Sequence, residues 1–161
     1  MSGRTALVLL NAIAAWCIAT AASSLFWILK VGRNGPPDFA TIQMIVVVPA
    51  IFAAVVAVML WTRKPGWWRM DALTLSGHIV ISAQIAVGLG FSAQMLLTSN
   101  VGRAYAAFGF LELAWLTLGV GVMVSTVGFI VTGVPALLVE CIIVRFVRKR
   151  WSPALAPGVF P

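Results

Sequence analysis

Charged side chains are absent from three long runs of this chain and nearly absent from a fourth. Residues 5–29, 39–62 and 72–102 contain no Asp, Glu, Lys or Arg, and residues 104–147 contain only Glu112, Glu140 and Arg145. About 20 apolar residues make one helical crossing of a bilayer, so each run is long enough to span. Composition agrees: 61% of residues are hydrophobic and 9% charged, against about 45–50% and about 25% in soluble domains. A soluble fold of this size has too little interior to hide so much apolar surface, and a disordered chain is apolar-poor and charge-rich. The expected fold is therefore all-α, a polytopic integral membrane protein built as a four-transmembrane-helix bundle. Five spans are the alternative.

The expected spans are residues 5–29, 41–62, 72–97 and 117–144, in one transmembrane domain covering the chain. The first begins like a secretory signal, with one arginine before an apolar run and small residues near Ala19–Ser23. Its length favours a retained helix. The segment 30–38, with two prolines, two glycines and three charges, is a connecting loop. Pro49 lies in the second span, where neighbouring helices tolerate it. Trp61, Trp67 and Trp68 cluster with Arg63, Lys64 and Arg69 as an interfacial belt.

The run 104–147 is the difficulty. As one helix it would measure about 66 Å, roughly twice the hydrocarbon thickness. It must fold back, kink at Gly133-Val134-Pro135, or begin as an interfacial or re-entrant segment over residues 104–116. Charge bias favours four crossings. One side then holds Arg4, Arg63, Lys64, Arg69, Arg145, Arg148, Lys149 and Arg150, and the other holds Lys30, Arg33 and Arg103. By the positive-inside rule both termini are cytoplasmic, with residues 148–161 as a cytoplasmic tail. Five crossings weaken the bias and require a turn near Ser125-Thr126, where no charge or proline marks one. The expected setting is a bacterial inner membrane.

The net charge of +7 is spread over connecting segments, which identifies topology signals and not a nucleic-acid footprint. Nucleic acid is not an expected partner. The final basic run from Arg145 to Trp151 is placed to meet anionic headgroups. Cys17 and Cys141 lie in apolar runs without metal or redox spacing and read as small buried core residues.

Within the spans, small and polar residues recur at helical spacing. Thr74, His78, Ser82, Ala86, Gly90, Gln94 and Thr98 follow one another every fourth residue in the third span. Asn11, Ala15, Ala19 and Ser23 do the same in the first, flanked by Thr20 and Ser24. Gly109, Thr117, Gly121, Ser125 and Gly133 form an interrupted row in the last. In lipid, helices associate through close backbone approach and interhelical hydrogen bonds, so such rows are expected to be helix-packing faces.

Three side chains in apolar sequence could carry chemistry: Glu112, Glu140 and His78. Intramembrane carboxylates usually face the bundle interior and have partners. Arg145 is the nearest basic residue to Glu140, although the five-residue spacing is poor for a direct pair. Glu112 reads as interfacial, protonated, or paired with a polar group of another helix. His78, the single histidine, most simply bonds across a helix interface. Its small neighbours also leave room for a pigment or haem, but a bis-histidine haem needs a second ligand. Catalytic zinc needs three protein ligands, and no such cluster occurs. No cofactor is expected.

Nucleophilic catalysis has no frame here, since only Asp38 and Asp71, both in loops, could accompany the histidine. No phosphate-binding loop is present. Gly77-His78-Ile79 resembles a Gly-His-Ile stretch in the small four-span subunits of tripartite periplasmic transporters. The likeness is limited to those residues, the surrounding motif order differs, and nothing is carried over from that family. The expected function is that of a non-enzymatic accessory or structural subunit. It would lie in the lipid bilayer and pack laterally against other membrane-protein subunits of a respiratory, photosynthetic or transport complex. The alternative is a small homo-oligomeric transporter or channel with Glu112, Glu140 and His78 along its path.

Overall fold

The structure, a computed structural model, describes residues 2–30, 46–64, 66–98 and 109–151. They form four helices, α1 (Gly3–Lys30), α2 (Val48–Thr62), α3 (Ala72–Thr98) and α4 (Phe110–Trp151), with a 3-10 turn at Trp67–Arg69. No strand occurs among the described residues. Three of the helices, α1, α3 and α4, are long and apolar enough to cross a membrane, while α2 is shorter. The expected second span is described only from Val46, through a π-type turn at residues 46–47 that leads into α2.

Local sequence explains where the helices start. Ser2 precedes α1 and its hydroxyl accepts from the Thr5 backbone N–H (3.2 Å), which satisfies one of the donors a helix N-terminus leaves open. Gly66, at φ +84°, supplies the left-handed residue of the turn between α2 and α3. Asp71 opens α3, its Oδ2 accepting from the backbone N–H of Leu73 (2.9 Å) and Thr74 (3.3 Å).

The backbone N–H groups of Thr74 and Leu73 hold the Asp71 carboxyl below its ordinary 3.8. A depressed folded-state value stabilises the fold above the unfolded pKa, and that contribution disappears as pH falls through the lowered value. Asp71→Asn keeps a capping side chain without the charge. The stability difference between wild type and D71N should therefore shrink as pH drops below 3.8. A difference independent of pH, measured from thermal midpoints in detergent, would show that the charge at the cap contributes nothing.

The helices pack in a ring, α1 against α2 and α4, and α3 against α2 and α4, without a comparable diagonal contact. Gly3 lies beside Trp68 and Trp151, and the Arg148 guanidinium donates to the Trp67 carbonyl (3.2 Å). The start of α1, the end of α2, the start of α3 and the end of α4 thus share one end of the bundle, an up-down-up-down order. Arg4, Arg63, Lys64, Arg69 and the basic residues of 145–150 all belong to this end. So do Trp61, Trp67, Trp68 and Trp151.

The core sits near the same end. Ala6 and Leu7 of α1, Ala57 and Val58 of α2, Leu75 and Ile79 of α3, and Val144 and Val147 of α4 are buried together. Burial elsewhere is sparse. Large apolar side chains face outward along the helices, with Phe52, Leu111, Trp115 and Ile130 at least 70% exposed. A water-soluble monomer does not present apolar surface on that scale, whereas lipid tails solvate it.

Helix α4 is one unbroken element of 42 residues, about 63 Å long. It neither turns near Ser125-Thr126 nor stops at Gly133-Val134-Pro135. Of the expected interfacial segment, residues 110–116 are its first turns, and residues 104–108 lie outside the described residues. Cys17, expected to be buried, is exposed on α1, and Cys141 is half-buried. A cysteine in an apolar run carries no signal for which side of its helix meets lipid.

Candidate functional site

The α3–α4 seam shows where small residues act. Gln84, Gly88 and Ser92 of α3 lie opposite Ser125, Gly121 and Thr117 of α4. The Ser125 hydroxyl donates to the Gln84 carbonyl (2.8 Å), and the Ser92 hydroxyl lies 2.9 Å from the Thr117 carbonyl and 3.0 Å from that of Gly88. At the centre the two glycine backbones meet so closely that a Cβ on Gly88 would stand 2.5 Å from the Gly121 carbonyl. The α4 row expected from the sequence is therefore partly realised at this seam. The α3 row is displaced by two positions, about 200° around the helix. Gly90 is exposed with open space beside it, Thr74 is exposed, and Ala86 and Gln94 are half-buried.

Two members of that expected row face α2 instead. The Trp61 indole donates to Ser82 Oγ (2.8 Å) and stacks on the His78 ring, with centroids 4.1 Å apart. His78 Nδ1 lies 2.8 Å from the Thr74 carbonyl, an acceptor, so Nδ1 carries the proton. Lys64 Nζ sits over the Trp61 ring, 3.6 Å from its centroid. His78 thus belongs to the α2–α3 seam near the basic end, and no group of three potential metal ligands occurs among the described residues.

Glu112 is exposed at the start of α4. Its carboxylate accepts from the Gly109 backbone N–H (3.4 Å), a capping arrangement at the positive end of the helix dipole. Of the three candidate residues, only Glu140 lies in the interior. It is 3% exposed, and Asn11 of α1 is 5% exposed. Asn11 Nδ2 donates to Leu7 O (3.0 Å) and to Glu140 Oε1 (3.2 Å). The partner of Glu140 is therefore an amide and not Arg145, which is exposed.

This pair forms the floor of a partly enclosed cavity of about 670 Å³ walled by all four helices. Asn11, Ala15, Ala19 and Ser23 all line it. The α1 row of small residues bounds open space, where the sequence suggested a tight helix contact. Ala50 and Ala54 of α2, Ala83 and Gln84 of α3, and Gly128 and Thr132 of α4 complete the wall with larger aliphatic side chains. Gln84 Nε2 donates to Thr132 Oγ1 (3.0 Å), whose own proton goes to the Gly128 carbonyl (2.7 Å). Gly128 gives this amide room, since a Cβ there would stand 3.0 Å from Gln84 Oε1.

Sequence reasoning singled out Glu140 and Asn11 separately and missed Gln84 and Thr132. An amide within an otherwise apolar run was the available signal for Gln84. The size and lining of the cavity fit a small-molecule site, which is typically about 300–1,000 Å³, mostly apolar, with few polar groups.

These features define a class: a helical membrane bundle with an apolar, partly enclosed cavity and, among the described residues, one buried carboxylate. Compared with known protein families, curated proteins and solved structures, the chain matches none.

Proposed function

We propose that this protein is a small non-enzymatic membrane protein that takes a small amphiphilic molecule into the bundle, as a carrier or as the binding subunit of a transporter. In this reading all four helices cross the bilayer and both termini face the cytoplasm, the side favoured for the shared basic end. The observation that carries the reading is the Asn11–Glu140 pair at the floor of a largely apolar cavity. An ionisable group within membrane helices is costly to bury, faces the bundle interior and marks a functional site by default.

Filling the cavity is the direct test. Ala54→Phe and Ala83→Phe each put a ring into the space while leaving Glu140 and Asn11 in place. Organic extracts of wild type purified in a mild detergent are expected to contain a compound of low molecular mass that extracts of the filled variants lack. Identical extracts would overturn the reading. Glu112→Gln, at the exposed helix start, is expected to change nothing.

Lateral packing in a larger complex is a second reading, and α4 supports it. A helix of about 63 Å exceeds a hydrocarbon core of about 30 Å, so its outer part needs a strong tilt or a protein partner. A single-chain mass after gentle solubilisation would count against this reading.

A further inference from the structure

We propose that the ligand of the cavity is a lipophilic cation bearing N–H donors, such as a protonated primary or secondary amine on an apolar body. This deepens the small-molecule reading and rests on it. The argument is an inventory of the polar atoms that line the space. Both Asn11 Nδ2 protons are engaged, one by Leu7 O and one by Glu140 Oε1, which leaves Asn11 Oδ1 as an acceptor. Gln84 Nε2 gives one proton to Thr132, which leaves its second proton as a donor and Oε1 as an acceptor higher in the cavity. The Thr132 and Ser23 hydroxyl protons go to the carbonyls of Gly128 and Thr20. Glu140 Oε2 accepts no hydrogen bond from any described residue, although Glu140 is 3% exposed.

The Asn11 amide orientation is set by its partners. A carbonyl and a carboxylate oxygen face Asn11 Nδ2, so that atom must be the donor. The free polar atoms at the Asn11–Glu140 pair, Asn11 Oδ1 and an ionised Glu140 Oε2, are thus acceptors, and a ligand seated on that pair must bring the donors. Glu140 is also the one ionisable side chain among the lining residues. A carboxylate removed from water is stable when protonated or when a cation sits beside it, and no described basic residue pairs with it. A ligand ammonium supplies both the charge and the donors, while its apolar body occupies the Ala- and Val-lined space above. Carboxylate-bearing ligands are repelled by the same floor, and neutral alcohols gain no charge pairing.

Proton and cation compete for Glu140, so cation binding weakens as pH falls. Among the described residues that line the cavity, no other group titrates. The partner on the carboxylate is Asn11 of α1, and none of the lining residues of α2 and α3 is ionisable. On α4 the adjacent Cys141 and exposed Arg145 are outside the lining.

The test uses the full chain in phosphatidylcholine nanodiscs, with empty discs as the blank. Equilibrium dialysis measures saturable binding of octylammonium, octanol and octanoate near neutral pH. Octylammonium is expected to bind about tenfold or more tightly than octanol, the size of a charge-assisted hydrogen bond. Glu140→Gln should bring the two to equal affinity, and Ala54→Phe should abolish both. Lowering the pH on wild type, which needs no variant, should weaken octylammonium and leave octanol unchanged. Equal affinity for octylammonium and octanol, preference for octanoate, or an indifferent E140Q each overturns the cation assignment while the cavity reading stands. Absence of saturable binding by all three overturns both.

Discussion

Alanine at Gly88 or Gly121 is expected to lower bundle stability by about 2–3 kcal/mol, the upper part of the range for overpacking a close contact. A Cβ on Gly121 would stand 2.6 Å from the Gly88 carbonyl, and one on Gly88 would stand 2.5 Å from the Gly121 carbonyl. Ser125 Oγ and Ser92 Oγ stand closer still, but the carbonyls are backbone atoms that no rotamer change moves, so the helices must separate. Separation also breaks the hydroxyl–carbonyl bonds from Ser125 to Gln84 and from Ser92 to Thr117. Interhelical hydrogen bonds in membranes average only about 0.6 kcal/mol each, so the steric term dominates. Gly90→Ala and Gly119→Ala are the contrast. Nothing stands near either Cβ position, and alanine gains about 0.5–1 kcal/mol in helix propensity. Thermal midpoints in detergent decide the matter. A loss at Gly90 equal to that at Gly88 would place the seam on the wrong face of α3.

The second large effect concerns the cavity floor. Asn11→Leu should destabilise the protein by about 1–3 kcal/mol, because it strips Glu140 Oε1 of its donor while the carboxyl group stays buried. The lost hydrogen bond alone, at the average membrane value of about 0.6 kcal/mol, would be too small to give that. The stranded polar group makes the difference. Replacing both partners, Asn11→Leu with Glu140→Leu, removes the polar atoms together and should recover most of the loss, as apolar replacements of buried polar pairs do elsewhere. A double-mutant cycle in detergent measures the coupling. Additive losses at the two positions would mean that Asn11 and Glu140 act independently, and the paired floor would then be wrong. Ligand binding should be lost in the double variant even where stability returns, which separates the cost of the floor from its use.

These two sites also show what periodicity can and cannot convey. A spacing of four identifies small residues that share a helix face. In α4 it selected Thr117, Gly121 and Ser125, all of which meet α3. In α3 the row through His78 and Gly90 is longer than Gln84-Gly88-Ser92 at the same spacing, yet the shorter set carries the seam. Gly77, Gly88 and Gly90 look alike as residues. Only the position of Gly121 on the opposing helix makes Gly88 the one that cannot carry a side chain. The α1 row shows a further ambiguity, since small residues either let a neighbour approach or leave a space. Asn11, Ala15, Ala19 and Ser23 line a space.

The same holds for the polar residues. Glu112, Glu140 and His78 are equally isolated in apolar sequence, and grouping them on one path was reasonable from that alone. The helices distribute them to three places: a helix start, a cavity floor and an aromatic stack. Glu112 differs from Glu140 by lying in the first turn of α4, where the helix dipole and open backbone N–H groups accept a carboxylate near water. That distinction depends on where α4 begins, and no proline or charge before it marks the point.

The sequence by itself determined the helical class and the membrane setting, because apolar runs without charge must both satisfy their own backbone hydrogen bonds and meet lipid. It also determined that most of the basic residues would gather at one end, since successive crossings alternate in direction. The tertiary structure alone decided which glycines touch, that Asn11 and Glu140, 129 residues apart, become partners, and that a cavity opens above them. Contacts of that kind depend on the rotation of each helix about its axis, a quantity that the packing of all four helices sets together.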